Sequence, residues 1–363
     1  MTRAPSELFE HHLPNLLADL EQLSRDVGPQ AEPVVDRHLS AVTQRLESTL
    51  AACSHLEIAL DEDRPALRAA QERFRAAIQP WFDQSWFMRH ALAKPRGYAG
   101  DYQMLTAVYN RKPLSLGVGG YLDRYFLQTE LGTSVPIRLA MAREFLTQEA
   151  LQRGEMTVLN IASGPGREYQ NGWSLPDECR VNVFCVDQDD AALDHIRQTV
   201  VPTLPHTMEL ECVKYNALKM GNSEANREVF GRPDVVYSIG LCDYIPDRLM
   251  IRLLRGWRET AAEGGVVYVA FKDCLKYDKS KYQWLVDWYF YQRTTEECQA
   301  LFDRAGYDMD SLEVTRDATG SIINFISRMP EWTTVRLDGS QCAQPREIIA
   351  NVPTGPSSEL LVP

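Results

Sequence analysis

Apolar residues recur at helical intervals through the first part of the chain. From Ser6 to Val27, Leu8, Leu13, Leu16, Leu17, Leu20 and Leu23 mark one face, and Ser6 is placed to cap its start. The stretch from Val34 to Leu60 repeats the pattern through Leu39, Val42, Leu46 and Leu50. A third periodic segment runs from about Pro65 to Leu92 and ends in the aromatic cluster Trp81, Phe82, Trp86 and Phe87. No GxG or Walker-type phosphate loop occurs among these helices. Residues 1–150 therefore read as a helical region, a bundle or cap suited to covering a site or to pairing two copies as a homodimer.

The pattern changes near Met156. Thr157 to Ala162 and Val181 to Val186 are short apolar runs, the second ending in Asp187. Leu210 to Tyr215, Asp234 to Ile239 and Val266 to Phe271 predict further strands, with Arg248 to Thr260 as an intervening helix closed by Gly264-Gly265. Short buried strands alternating with helices predict an α/β fold over 151–330, with a parallel, doubly wound, Rossmann-like sheet. Thr294-Thr-Glu-Glu297 has capping-box spacing and starts a helix that stops at Ala305-Gly306. Strand-like runs follow near 311–316 and 321–327. Residues 331–363 lack periodicity and read as a loosely packed tail.

Net charge of -12 argues against sequence-independent nucleic-acid binding, which needs a positive surface. The first ten residues contain no signal-type apolar stretch, and no window approaches the roughly 20 apolar residues of a membrane span. The eight cysteines form no Cys-x-x-Cys pair, so no metal site is expected, and a reduced, cytoplasmic setting is the default.

The chemistry concentrates in Asn160-Ile-Ala-Ser-Gly164-Pro-Gly166-Arg-Glu168, which follows a strand and is expected to precede a short helix. Ala162, Ser163, Gly164 and Gly166 can bring backbone close to a ligand. About twenty residues on, Asp187, with Gln188 beside it, is placed to accept hydrogen bonds from vicinal ribose hydroxyls. Nicotinamide enzymes share that carboxylate, but their G-x-G-x-x-G fingerprint fails here, since Tyr169 occupies the third small position. S-adenosylmethionine has no phosphates to seat at a helix end and fits better. Asn216 and Ala217 after the third strand are candidates for holding adenine. Ser238, Gly240 and Leu241 follow the fourth strand, where the methyl group would face its acceptor.

On these features residues 156–328 resemble class I methyltransferases. Two further segments, Lys94-Pro-Arg-Gly-Tyr-Ala-Gly-Asp-Tyr102 and Trp284-Leu-Val-Asp-Trp-Tyr-Phe-Tyr-Gln-Arg-Thr294, resemble the bacterial family associated with biosynthesis of hydroxypalmitic acid methyl ester, an extracellular signal. The resemblance implies methyl transfer to the carboxylate of a small acyl molecule. Asn216 departs from the acidic residue common at that place in these enzymes.

A carboxylate acceptor is already ionised at neutral pH and needs orientation rather than a base. An amine or phenol would need a base of matched pKa. Candidates at the acceptor end are Tyr98, Asp243, Tyr244, Tyr291 and Arg293. Tyr98, Asp101 and Tyr102 form a candidate flap over the donor, with Asp101 equally placed to cap a helix, and Asp243-Tyr244 to cap one starting near Pro246. Trp284, Trp288, Tyr289 and Phe290 are candidates for an apolar pocket, and His90 for a base. The expected reaction is metal-free O-methylation. Nitrogen or phenol methylation, and a non-catalytic adenosylmethionine-binding protein that recognises a partner, are the alternatives.

Overall fold

The structure, a computed structural model, describes residues 7–60, 63–171 and 173–331. A π-helical turn, Leu8–His12, leads into helix α1 (Leu13–Val27), followed by α2 (Arg37–Leu60). The third periodic segment is two helices, α3 (Arg64–Phe82) and α4 (Trp86–Ala93). Ser85 sets the break: its Oγ accepts from Met88 N–H and donates to the buried carboxylate of Asp123 at 2.5 Å. That aspartate lies on the second of three further helices: α5 (Tyr102–Asn110), α6 (Gly117–Gln128) and α7 (Glu130–Arg153) follow in order, with Asp123 within α6. The break is therefore held by a tertiary contact that local periodicity does not show.

Helix α7 delivers the chain to the sheet, in the order β1 (Glu155–Ile161), β2 (Arg180–Asp187), α8 (Asp190–Thr199), β3 (Met208–Lys214), α9 (Ser223–Phe230) and β4 (Val235–Ser238). Then come α10 (Asp247–Thr260), β5 (Val266–Lys272), α11 (Ser280–Val286), α12 (Thr295–Ala305), β6 (Glu313–Arg316) and β7 (Ile322–Arg328). The spatial strand order is β3-β2-β1-β4-β5-β7-β6, the Rossmann-like arrangement of class I methyltransferases. Every residue of β5 is buried, as a central strand covered on both faces requires. Strand order reverses between β1 and β4, which places a ligand crevice at the carboxyl ends of those strands.

Two expectations are corrected. The sheet is mixed, because β7 runs antiparallel to β5 and to β6. The β6–β7 connection is a tight turn in which Asp317 accepts from Ile322 N–H and Gly320 takes φ 74°, and so short a link permits only antiparallel pairing. The glycine loop does not precede a helix. Residues 162–171 form turns whose carbonyls are claimed from outside: the Arg143 guanidinium on α7 donates to the carbonyls of Arg167, Glu168 and Gln170. Those bonds replace the ladder a helix would supply.

The helical region has its own core, which includes Leu16, Leu46, Phe74 and Phe87. Trp284, Leu285 and Val286 of α11 complete it, so this layer is closed by a segment that follows β5. Among the described residues no helix is long and apolar enough to cross a membrane. The tail expected at 331–363 lies outside the described residues, Glu331 excepted.

Candidate functional site

The loop after β1 is held in a costly backbone conformation. Ala162 takes φ 56°, with Gly164 at 54° and Gly166 at 57°. A left-handed non-glycine residue costs on the order of 1–2 kcal/mol, and such strain gathers at ligand sites. Ser163 N–H donates to the Val186 carbonyl, tying the loop to β2, while its buried Oγ has no hydrogen-bond partner among the described residues. Asp187, at the end of β2, accepts from Gly164 N–H at 2.9 Å and Asp189 N–H at 3.0 Å. Burial pushes its carboxyl above the ordinary aspartate range, opposed by these backbone donors. Gln188 beside it is exposed.

Behind the loop, Glu168 is buried and accepts from Asn160 Nδ2 at 2.8 Å and Tyr237 hydroxyl at 2.6 Å. Tyr169 packs fully buried with its hydroxyl 2.6 Å from that of Tyr237. The bulky residue at the third fingerprint position is thus a core side chain. Asn216 turns its carboxamide oxygen onto Leu218 N–H and is exposed, with Ala217 half-buried beside it.

Residues 94–101 lie against the end of β2. Arg96 makes a two-pronged ion pair with Asp189, its Nε 2.8 Å from one oxygen, and this holds the Asp189 carboxyl below its usual range. Asp189 also caps α8 through Ala191 N–H. Tyr98 is half-buried, and burial followed by the charges of Asp187 and Asp189 raises its phenol pKa. The Tyr102 ring sits 5.3 Å from that of His195.

Asp101 proves to be a helix cap. Its Oδ1 accepts from Gln103 and Met104 N–H at 3.0 and 2.9 Å, and His90 Nε2 lies 2.8 Å from Oδ2. His90, with its ring stacked on Trp86, is thereby a structural partner. Asp101→Ala is expected to lower stability by about 0.5–2 kcal/mol. Thermal melts with and without adenosylhomocysteine check this; an unchanged apo melting temperature with lost ligand response would restore the donor-contact role.

At the acceptor end, Asp243 does not cap α10: Pro246 occupies that position without a side-chain bond. Its carboxylate instead accepts from Lys272 N–H at 2.9 Å and pairs with Lys272 Nζ at 2.5 Å. Both side chains are buried, and burial lowers the Lys272 pKa against the pull of Asp243. Trp288 Nε1 donates to the Tyr244 hydroxyl at 2.9 Å, and burial raises that phenol's pKa.

These groups border a cavity of about 40 Å³, space for about two or three waters. Arg138, Tyr244 and Lys272 supply its polar lining, and Met104, Leu105, Val108, Phe126, Val135 and Trp288 much of its apolar wall, with Gly100 and Gly240 at its edge. A Cβ at Gly100 would come within 2.9 Å of both Trp288 Cζ2 and the Tyr244 hydroxyl, so only glycine allows the loop to sit this close.

Several predicted site residues are engaged elsewhere. Arg293 is buried and donates to the carbonyls of Cys242 and Ile245 and to Asp247, leaving it no role in holding an acceptor. Tyr291 lies beneath that guanidinium, and its N–H donates to the Asp243 carbonyl. Ser238 Oγ donates to the Ile161 carbonyl, joining β4 to β1, and Leu241 packs partly buried against the sheet core. Of the aromatic run only Trp288 reaches the cavity: Trp284 packs on Phe74, Tyr289 bonds to Gln71, and Phe290 lies under Lys272 Nζ at 4.2 Å.

The sequence reading missed Arg138, Lys272, Arg96 and Asp189. Lys272 carried a signal, a cation ending the apolar run 266–271. Arg138 carried none, because nothing local marks which face of α7 meets the cavity. Among the described residues no group of His, Cys, Asp or Glu is placed to hold a metal ion.

No protein-family model and no curated protein matches this chain. Solved structures do resemble it. A Bordetella parapertussis protein described as a possible exported protein aligns with 63% of this chain and 79% of its own, at 18% identity and a TM-score of 0.50. The apo methyltransferase SibL aligns with 90% of this chain and 98% of its own, at 16% identity and a TM-score of 0.42. Magnesium protoporphyrin IX methyltransferase from Synechocystis, with bound adenosylhomocysteine, aligns with 55% of this chain and 87% of its own, at 10% identity and a TM-score of 0.39. The likeness is one of fold. The resemblance to the hydroxypalmitate methyl ester family rests on its two sequence segments alone.

Proposed function

We propose that the chain is an S-adenosylmethionine-dependent methyltransferase that esterifies the carboxylate of a small apolar acid. The donor half of this reading rests on the strained Ala162–Gly166 loop, the Ser163 hydroxyl, which has no hydrogen-bond partner among the described residues, and the strand-end carboxylate of Asp187. Ser163 and Asp187 are the polar groups that would hold the donor, Asp187 through the ribose hydroxyls, with Tyr98 over it. The donor supplies a methyl group activated on a sulfonium. The chain's part is to align the nucleophile, exclude water and leave one acceptor orientation open.

The observation that carries the acceptor half is the cavity lining, which among the described residues presents two cations and a phenol but no carboxylate or histidine. Asp243, behind Lys272, has both oxygens engaged. Such a lining orients an anion and offers no base to an amine, and its apolar wall suits a hydrocarbon body. At about 40 Å³ the cavity must enlarge to admit one, and the 94–101 loop, with Gly97 at φ 88°, is the segment proposed to move.

Incubation with methyl-labelled donor and a panel of apolar carboxylic acids tests the reading. Label that is released as methanol by mild alkali is expected. Label on product that survives alkali would replace the proposal with nitrogen or phenol methylation. The rate is expected to show no acceptor deprotonation step between about pH 6 and 8, since carboxylates titrate well below that range.

A further inference from the structure

Arg138 is an unusual group for an interior. It lies on α7 with only 3% of its surface exposed, and its Nε has no hydrogen-bond partner among the described residues. Among the described residues no carboxylate stands within ion-pair distance of it. The buried carboxylates around it are not in contact with it: Asp243 pairs with Lys272, and Glu168, which acts on the guanidinium through space, holds Asn160 and Tyr237 on its Oε1. Lys272 and Asp243 neutralise each other, so among the described residues the guanidinium is the cavity-lining charge without a direct ion-pair partner. The phenols around it are those of Tyr109, Tyr244 and Tyr268, and burial raises the pKa of each, which keeps them protonated and neutral. A buried cation left in this state is costly unless an anion arrives to pair with it.

We propose that Arg138 is the receptor for a carboxylate, donating a two-pronged hydrogen bond to it, and that this carboxylate belongs to the methyl acceptor. A planar guanidinium matches a carboxylate's two oxygens. The alternative source is the aminoacid end of the donor. The wall favours the acceptor, because Met104, Val108, Phe126 and Val135 surround the cation with hydrocarbon suited to an acyl body. Gly240 borders the same guanidinium: a Cβ there would sit 3.7 Å from Nη2, in ordinary van der Waals contact. This inference rests on the carboxyl-methylation reading above.

The experiment uses calorimetry on the full chain and on Arg138→Met, each saturated with adenosylhomocysteine. Decanoate is the probe and decanol its uncharged control. Decanoate is expected to bind the wild-type complex and to lose about 10- to 100-fold in affinity in Arg138→Met, the size of a lost charged hydrogen bond. Decanol should bind both alike, and Arg138→Lys should fall between. Titration of adenosylhomocysteine and of methylthioadenosine, which lacks the aminoacid group, separates the sources. Both should bind wild type and Arg138→Met equally. Loss of adenosylhomocysteine affinity with methylthioadenosine unaffected would assign Arg138 to the donor and overturn the proposal. So would absent decanoate binding, or equal binding to both proteins. The apo melting temperature of Arg138→Met should be unchanged or raised, whereas a drop would mark a structural arginine and count against the receptor role. Decanoate that binds through Arg138 yet never receives a methyl group would refute the reaction while leaving this site standing.

Discussion

Asp243→Ala is expected to destabilise the protein by about 3–5 kcal/mol, because it leaves Lys272 charged, buried and unpaired. The pair lies at the end of β5, with Lys272 Nζ 2.5 Å from the carboxylate and the Lys272 N–H held by its other oxygen. Loss of Asp243 strands a backbone donor as well as an ammonium. Lys272→Met also leaves a buried charge, the Asp243 carboxylate, but that carboxylate keeps the backbone N–H of residue 272, so the cost should be smaller. Asp243→Leu combined with Lys272→Met should recover the charge part of the loss, because a buried pair replaced by apolar groups is often neutral, leaving only the stranded backbone N–H of residue 272. Denaturant unfolding of the three variants checks this. Near-equal losses from the two single changes, with the double change no better than either, would show that the pair contributes net stability instead.

Asp187→Ala is expected to weaken adenosylhomocysteine binding by about 1–3 kcal/mol, the cost of leaving buried polar groups without partners. Part of the loss is indirect, since the Gly164 N–H that Asp187 accepts shapes the strained loop. The pH dependence has a defined sign. Burial holds the folded-state pKa above the ordinary 3.8, so the ionised form is penalised in the free protein as pH rises through that interval. Ribose hydroxyls donate to the ionised form and would draw the pKa down. Binding should therefore weaken as pH falls toward the raised value, with proton release on binding in that window. Calorimetry in buffers of different ionisation enthalpy measures the proton count. Affinity that is flat with pH, or unaffected by the substitution, would remove Asp187 from the donor site.

How much of this was legible depends on the range of the interaction concerned. The capping box of α12 is satisfied as its residues imply, with Thr294 and Glu297 bonding reciprocally to backbone N–H groups, because both partners lie within one turn. The β-strands fall within about two residues of their apolar runs, and β4 and β5, buried on both faces, leave a continuous local signature. Asp101 stood between two readings, and the cap was chosen by where α4 places His90. The pair Asp243–Lys272 spans 29 residues, and no spacing rule reaches that far.

By itself the sequence determined the α/β class, the glycine turn after β1, the carboxylate at the end of β2 and the helical character of the first part of the chain. Each is written in periodicity or in residues adjacent in the chain. Tertiary structure alone decided that β7 runs antiparallel and that the Arg143 guanidinium replaces a helix after Gly166. It also decided that α11 closes the helical layer, and that Arg293 is a strut while Arg138 faces the cavity. The physical reason is the same in each case. A charged side chain's role is set by which buried donors and acceptors remain unsatisfied around it, and those are known only once distant segments have packed.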